Sequence, residues 1–169
     1  MEALGSNNFC YNKMMWLQPN SFYAELLQDL YAGDSGEIIA FLQFSYQSFL
    51  LIPFGEQFGK IFERLANEEF LHTKKLAEAI VMLGGNPIFA NSKGKFIGGR
   101  TMSQIKDIKG MLIDDIELKE KSLINYKTTI LKIENQYLKN LINSIIKEEE
   151  YQLASLNAYL ESLDNNNKN

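Results

Sequence analysis

The sequence predicts an all-α protein, a four-helix bundle with one long crossover between helices two and three. Three observations support this fold class. Four long segments have apolar residues at three- to four-residue spacing, only 3 prolines are present, and the 11 glycines cluster, which leaves long stretches without a helix breaker. The length of 169 residues, 46% of them hydrophobic and 22% charged, is typical of one globular domain. The predicted organisation is an irregular N-terminal arm (1–20), the bundle (21–163) and a disordered tail (164–169).

The first two predicted helices are bounded by helix-capping and helix-breaking residues. Helix one covers about residues 21–51, since Ser21 can cap its start and Pro53 stops it. Helix two covers about residues 54–83 and is stopped by the glycines and the proline of the LGGNP segment. The link around Pro53 is short, as expected between neighbouring helices of a bundle.

The other two helices follow a long glycine-rich link. Helix three begins near Ser103 and reaches about Ile133, and helix four covers about residues 135–163, before the polar DNNNKN tail. The link at Glu134 is short, whereas residues 84–102 have little helical tendency. A link of that length lets helices two and three run in the same direction, which is the connectivity of bundles with one long crossover.

Composition excludes several classes of function. A formal net charge of -4 provides no basic field for nucleic acid or for an anionic membrane surface. The longest apolar run, Phe49–Phe54, is far shorter than the roughly 18 residues of a membrane span, and no secretory signal is visible, so we expect a cytoplasmic protein. One cysteine, Cys10, excludes an intramolecular disulfide and a Cys-based zinc site, and one histidine, His72, excludes every multi-histidine metal site.

Polar residues interrupt the apolar stripe of each predicted helix near its middle. They are Glu37 in helix one, Glu69 and His72 in helix two, Lys119 in helix three, and Glu149 and Gln152 in helix four. Isolated buried charges cost several kcal/mol each, so such groups are rare in a core unless they are paired or bind a metal. A Glu and a His three residues apart share a helix face and can ligate one ion together. The pattern indicates either a metal site or a metal-free layer of ion pairs.

Four segments carry a resemblance to a known family. They are AGDSGEIIAFLQFSYQSF in helix one, LANEEFLHTKKLAEAIVMLGGNP in helix two, DDIELKEKSLINYKTTI in helix three and IIKEEEYQL in helix four. Over roughly residues 21–163 the chain resembles the ferritin-like manganese catalases, including the short spore-coat type, and more distantly bacterioferritin and rubrerythrin. The resemblance implies a ferritin-like bundle that forms a homo-oligomer, and spore association would follow from it alone.

The resemblance also implies a metal centre from which two ligands are missing. In that family the ligands are one Glu on helix one, Glu-x-x-His on helix two, one Glu on helix three, and Glu-x-x-His on helix four. The matching positions here are Glu37, Glu69 with His72, Lys119, and Glu149 with Gln152. Both replaced ligands serve the second ion in the family, so we expect Lys119 to occupy the space of that ion. Three carboxylates and one ammonium leave a charge that one divalent ion neutralises.

Three functions are compatible with this sequence. The first is a protein with a degenerate site that binds at most one Mn or Fe ion through Glu37, Glu69, His72 and Glu149, and has weak or no catalase activity. The second is an active di-metal oxidoreductase, a manganese catalase or a ferroxidase, in which a local bulge presents Glu120 instead of Lys119. The third is a metal-free structural scaffold with coat or assembly partners. Carboxylate-rich sites accept both Mn and Fe, so the sequence does not decide between these metals.

Overall fold

The structure, a computed structural model, describes residues 17–97, 103 and 105–166. Its helices are α1 (Ser21–Ala32), α2 (Glu37–Leu50), α3 (Glu56–Met82), α4 (Ile108–Ile130) and α5 (Gln136–Asn166), with one 3-10 turn, Ile52–Phe54. Within these residues the β-type pairing is limited to one isolated bridge between Ala90 and Phe96. The prediction of an all-α bundle with its long link between the second and third long segments is therefore confirmed.

The first predicted helix is two helices, because the chain bends at a pair of glycines. A Cβ atom at Gly33 would lie 2.3 Å from the carbonyl oxygen of Asp29, and one at Gly36 would lie 2.8 Å from that of Leu30. Such close backbone approach is open to glycine alone. The prediction of one helix over 21–51 was wrong here, and as a result Glu37 is the first residue of α2.

Three other predicted boundaries differ from the structure. Asn20, not Ser21, caps α1, since its side chain accepts a hydrogen bond from the Tyr23 amide. The third long segment begins at Ile108, where Asp107 caps α4, and ends at Ile130. The last helix continues to Asn166, so residues 164–166 are helical rather than part of a disordered tail. Residues 1–16, which include Cys10 and Trp16, and residues 167–169 lie outside the described residues.

The crossover is attached to α1 by side chains of that helix. The Gln28 amide donates to the carbonyl oxygen of Ile88 at 2.7 Å, and the Asp29 carboxylate accepts from the Ser92 amide at 2.8 Å and from its hydroxyl at 2.9 Å. These contacts hold residues 88–92 against the bundle. None of the helices in the described parts of the chain is both long and apolar enough to cross a membrane.

The apolar core has two parts, and the polar layer lies where one part gives way to the other. Along α3, Leu65 belongs to one cluster and Leu76 to the other, and along α4 the same change occurs between Leu112 and Leu123. The residues between these leucines include all the polar interruptions that the sequence shows on those helices. The fold therefore brings the interruptions of separate helices to one level.

Candidate metal centre

The four carboxylate and imidazole residues expected to hold one ion lie together in the core. Glu37 is 1% exposed, and Glu69, His72 and Glu149 are fully buried. Each offers one ligand atom, and these atoms lie within 4.8 Å of one another. Two ligand atoms on opposite sides of an ion with bonds of about 2.1 Å are about 4.2 Å apart. The group can therefore close around one ion with small side-chain movements.

His72 presents one ring nitrogen to the carboxylates and the other to the protein surface. Its Nδ1 lies 3.3 Å from Glu37 Oε2 and 3.4 Å from Glu149 Oε1, while its Nε2 lies 2.7 Å from Glu148 Oε2. Glu148 is half exposed and also pairs with Lys75 at 3.2 Å. A carboxylate on the far nitrogen of a metal-binding histidine fixes the ring and its tautomer. Nδ1 is thus the nitrogen available for an ion.

Glu148 is a contact that the sequence interpretation missed. The run Lys147–Glu150 reads as a solvated face with Glu149 alone turned inward, and for Glu148 that interpretation was wrong. Its signal was its position three residues after the buried Ile145, at the edge of the inward stripe.

Lys119 lies between two of the candidate ligands. Its Nζ is 2.6 Å from Glu69 Oε2 and 2.7 Å from Glu149 Oε1, and the side chain is 1% exposed. A protonated lysine offers no lone pair, so it neutralises these carboxylates without ligating an ion. Glu120 is exposed on the same continuous helix, so its use as a replacement ligand would require a rearrangement of α4.

Gln152 is buried, but its amide is directed to a residue outside the group. Its Nε2 donates to Glu68 Oε2 at 2.9 Å, and Glu68 also pairs with Arg64. Within the described part of the chain, Gln152 Oε1, Glu69 Oε1 and Glu149 Oε2 are buried acceptors that receive no hydrogen bond from a donor group. Buried oxygens without donors are unfavourable unless a cation or a proton satisfies them, so the donor set fits a hard divalent cation.

Tyr126 fixes the orientation of Glu37. The tyrosine hydroxyl donates to Glu37 Oε1, which leaves Oε2 directed at His72. Burial raises the pKa of Tyr126 well above its usual value, and the nearby Glu37 carboxylate adds to this shift, so the phenol stays protonated and donates. The sequence stripe predicted Tyr126 in the core but not this hydrogen bond.

The pKa values of the group divide it into charged and neutral members. Burial alone would lower the pKa of His72, but its hydrogen bonds to Glu149 and Glu37 outweigh burial and raise it to about 11. Burial would raise the pKa of Glu37, yet the hydrogen bond and the charge of His72 lower it to about 2. Burial raises the pKa of Glu69 well above its usual range, against the attraction of Lys119. Without a metal, His72 is therefore a cation and Glu69 carries a proton.

A second buried polar cluster, which the sequence interpretation missed, lies one helical turn from Lys119. Asp115 Oδ1 accepts the amides of Gln43 at 2.5 Å and Gln47 at 2.9 Å, and all three side chains are at most 3% exposed. Burial raises the pKa of Asp115 to about 7, although the two amides and Lys119 oppose the shift. The spacing of four residues, both between the two glutamines and from Asp115 to Lys119, was the available signal.

Comparison with known proteins gives the same fold and a related set of proteins. The ferritin-like domain family matches residues 44–166. A probable manganese catalase from Clostridium acetobutylicum is 23% identical over 89% of this chain and 75% of its own length. A manganese catalase from Anabaena superposes with a TM-score of 0.81 at 21% identity, over 87% of this chain and 74% of its own. Rhodobacter capsulatus bacterioferritin superposes with a TM-score of 0.75 at 20% identity, over 88% and 89%.

Proposed function

This chain belongs to the ferritin-like domain family, and from that premise we propose that it binds one Mn or Fe ion in the bundle core and has weak or no catalase activity. The ligands in this proposal are Glu37, Glu69, His72 and Glu149. The observation that carries the proposal is the Lys119 ammonium, which lies within 2.7 Å of Glu69 and Glu149 oxygens. It supplies a fixed positive charge where a second ion would need free carboxylates.

The balance of buried charge favours one ion over two. Without a metal, the carboxylates Glu37 and Glu149 face two cations, His72 and Lys119. Glu69 is protonated because burial raises its pKa. One divalent ion that displaces the protons of His72 and Glu69 leaves the net buried charge unchanged, since metal ligands bind in their deprotonated forms. A second divalent ion would leave two uncompensated positive charges in the core while Lys119 stays in place, which is costly.

The same geometry limits the chemistry. A bound ion would supply Lewis acidity and a change of oxidation state, whereas peroxide disproportionation by the di-metal proteins of this fold divides a two-electron cycle between two ions. Here Tyr126 orients Glu37, Glu148 orients His72, and Lys119 holds Glu69 and Glu149 apart from a second site. The buried Phe44 ring, with its centroid 5.5 Å from Lys119 Nζ, limits access of water to the ammonium.

The metal content of purified protein tests the proposal directly. Protein grown with added Mn and Fe should contain close to one ion per chain by elemental analysis, and a His72→Gln variant should lose it because the core then lacks its imidazole ligand. Glu120→Gln, at an exposed position on α4, is the matched control and should keep the ion. The same samples should show little or no peroxide disproportionation. A content near zero contradicts the proposal, and a content of two with rapid peroxide turnover favours the active di-metal oxidoreductase.

Glu148→Gln should weaken Mn²⁺ binding by roughly 10- to 100-fold, because the neutral amide no longer fixes the His72 ring with a charged acceptor. A competition titration with a coloured chelator measures this affinity. Glu150→Gln is a close control, since Glu150 is on the same helix, is equally exposed at 49%, and pairs with Lys127 instead. If both variants bind equally weakly, the effect is one of net charge and Glu148 has no orienting role.

A metal-free scaffold is the second candidate function, and one observation favours it. The ion pairs of Lys119 with Glu69 and Glu149, and of His72 with Glu37, already neutralise the buried carboxylates without an ion. The proposal also includes a homo-oligomer, because large apolar side chains such as Phe49 and Phe70 are exposed on α2 and α3. Elemental analysis separates the scaffold from the metal-binding protein.

A further inference from the structure

Two buried oxygens of the Asp115 cluster lie without a donor. The glutamine amides are bound to Asp115 Oδ1, while Asp115 Oδ2 and Gln47 Oε1 are buried acceptors that receive no hydrogen bond from the described residues. Neither oxygen can donate to the other while Asp115 is ionised. A proton on Asp115 removes one of the two unsatisfied acceptors and converts that group into a donor. The geometry therefore points to a neutral Asp115 as the resting form.

Lys119 is the cation within reach of an ionised Asp115. The two residues are four apart on α4, so they share a face and their Cβ atoms are about 5–6 Å apart. Both side chains are buried, and Lys119 is a long flexible side chain that at present extends to Glu69 and Glu149. A carboxylate at position 115 would compete with those two partners for the ammonium.

We propose that Asp115 is a switch that controls the second metal position: when its carboxyl group is ionised, it draws the Lys119 ammonium away from Glu69 and Glu149. This inference rests on the proposed function. The movement would leave Glu69 and Glu149 without their internal cation, beside the unbound Gln152 Oε1. Three oxygens then become available to a second divalent ion, so the same chain holds one ion when Asp115 is neutral and two when it is charged.

The surroundings of Asp115 allow this ionisation near neutral pH. From α2 it faces two neutral amides, those of Gln43 and Gln47, and on its own helix it is influenced by Asp114 and Lys119. At the far end of Lys119 are the carboxylates of α3 and α5. Burial and Asp114 oppose the charge on Asp115, whereas the amides and Lys119 favour it, and the pKa of about 7 reflects this balance.

Metal stoichiometry at two pH values tests the switch. Wild-type protein saturated with Mn²⁺ under argon should hold one ion per chain at pH 6 and two at pH 8, counted by elemental analysis of the protein and by the spectroscopic signal of free Mn²⁺. Asp115→Asn should hold one ion at both pH values, and Asp114→Asn, which removes the same charge from the neighbouring position, should behave as wild type. One ion in the wild type at both pH values, or a second ion in Asp115→Asn at pH 8, overturns the inference.

A metal-free measurement separates this inference from the proposed function. If the wild type binds no Mn²⁺ at either pH, the proposed function fails, and the switch is then judged on unfolding temperatures. Asp115→Asn, Lys119→Met and the double variant should show additive changes in Tm at pH 6 and non-additive changes at pH 8, where the two side chains pair. Additive changes at both pH values contradict the switch whatever the metal content.

Discussion

Replacing Lys119 with Glu and Gln152 with His is expected to raise the Mn²⁺ content from one ion to two per chain. The two substitutions restore a carboxylate and an imidazole at the positions where the related di-metal proteins carry them. They also remove the ammonium that lies 2.6 Å from Glu69 and 2.7 Å from Glu149. With four carboxylates and two histidines, two divalent ions would be balanced in charge, as one ion is balanced in the wild type.

The stability of the double variant should depend on metal far more than that of the wild type. Without an ion, the new carboxylate joins three others in the core and the compensating lysine is gone, which should cost about 3–5 kcal/mol in the free energy of unfolding. Binding to the folded state alone restores stability, by about 2.7 kcal/mol when the free ion is at 100 times its dissociation constant. Thermal unfolding with a chelator and with excess Mn²⁺ measures both effects.

Lys121→Glu is the control for the change of charge. Lys121 is also on α4, but it is exposed and pairs with Glu117 on the surface, so its replacement should alter neither metal content nor the effect of the chelator. Unchanged metal content in the Lys119 and Gln152 double variant would show that these positions do not form the second metal site. Uptake of a second ion by the Lys121 variant would show that net charge alone is responsible.

The polar layer could be predicted from the sequence because helical periodicity determines which residues share a face. Leu65, Glu69 and Leu76 are all buried on one side of α3, and no knowledge of neighbouring helices is needed to see this. The inward position of Lys119 follows from the same spacing, since Leu123 and Tyr126 share its stripe and are buried as well. An error of one residue in that register would have placed Glu120 in the core instead.

The partners of these residues could not be predicted from single-helix patterns. The bonds of Glu148 to His72 and of Gln152 to Glu68 each join α3 to α5, and they depend on how the two helices are rotated against each other. The break between α1 and α2 was missed for another reason. Apolar spacing continues through Gly33, so the period hid a backbone bend that the close approach at the glycines reveals.

Asp115→Asn is expected to make the protein more stable than the wild type above pH 7, although it removes a buried charged group. The pKa of Asp115 is raised from 3.8 to about 7 in the folded state by burial, so folding favours the protonated form. Its contribution is fully present below the unfolded value of 3.8 and is lost as pH rises to about 7. The loss approaches about 1.4 kcal/mol per pH unit and totals about 4 kcal/mol.

Asparagine avoids this loss because it is neutral at every pH in the range. Its oxygen can replace Asp115 Oδ1 as the acceptor for Gln43 and Gln47, and its amide can donate to the unsatisfied Gln47 Oε1. Urea unfolding of the metal-free proteins should therefore show similar free energies of unfolding near pH 4 and a growing advantage for the variant up to about pH 7. Asp114→Asn, in which the neighbouring carboxylate that accepts from the Ser103 hydroxyl is neutralised, should show no such widening. Parallel pH profiles for the wild type and Asp115→Asn would mean that Asp115 is ionised throughout, because a charged resting form gives the two proteins the same dependence on protons.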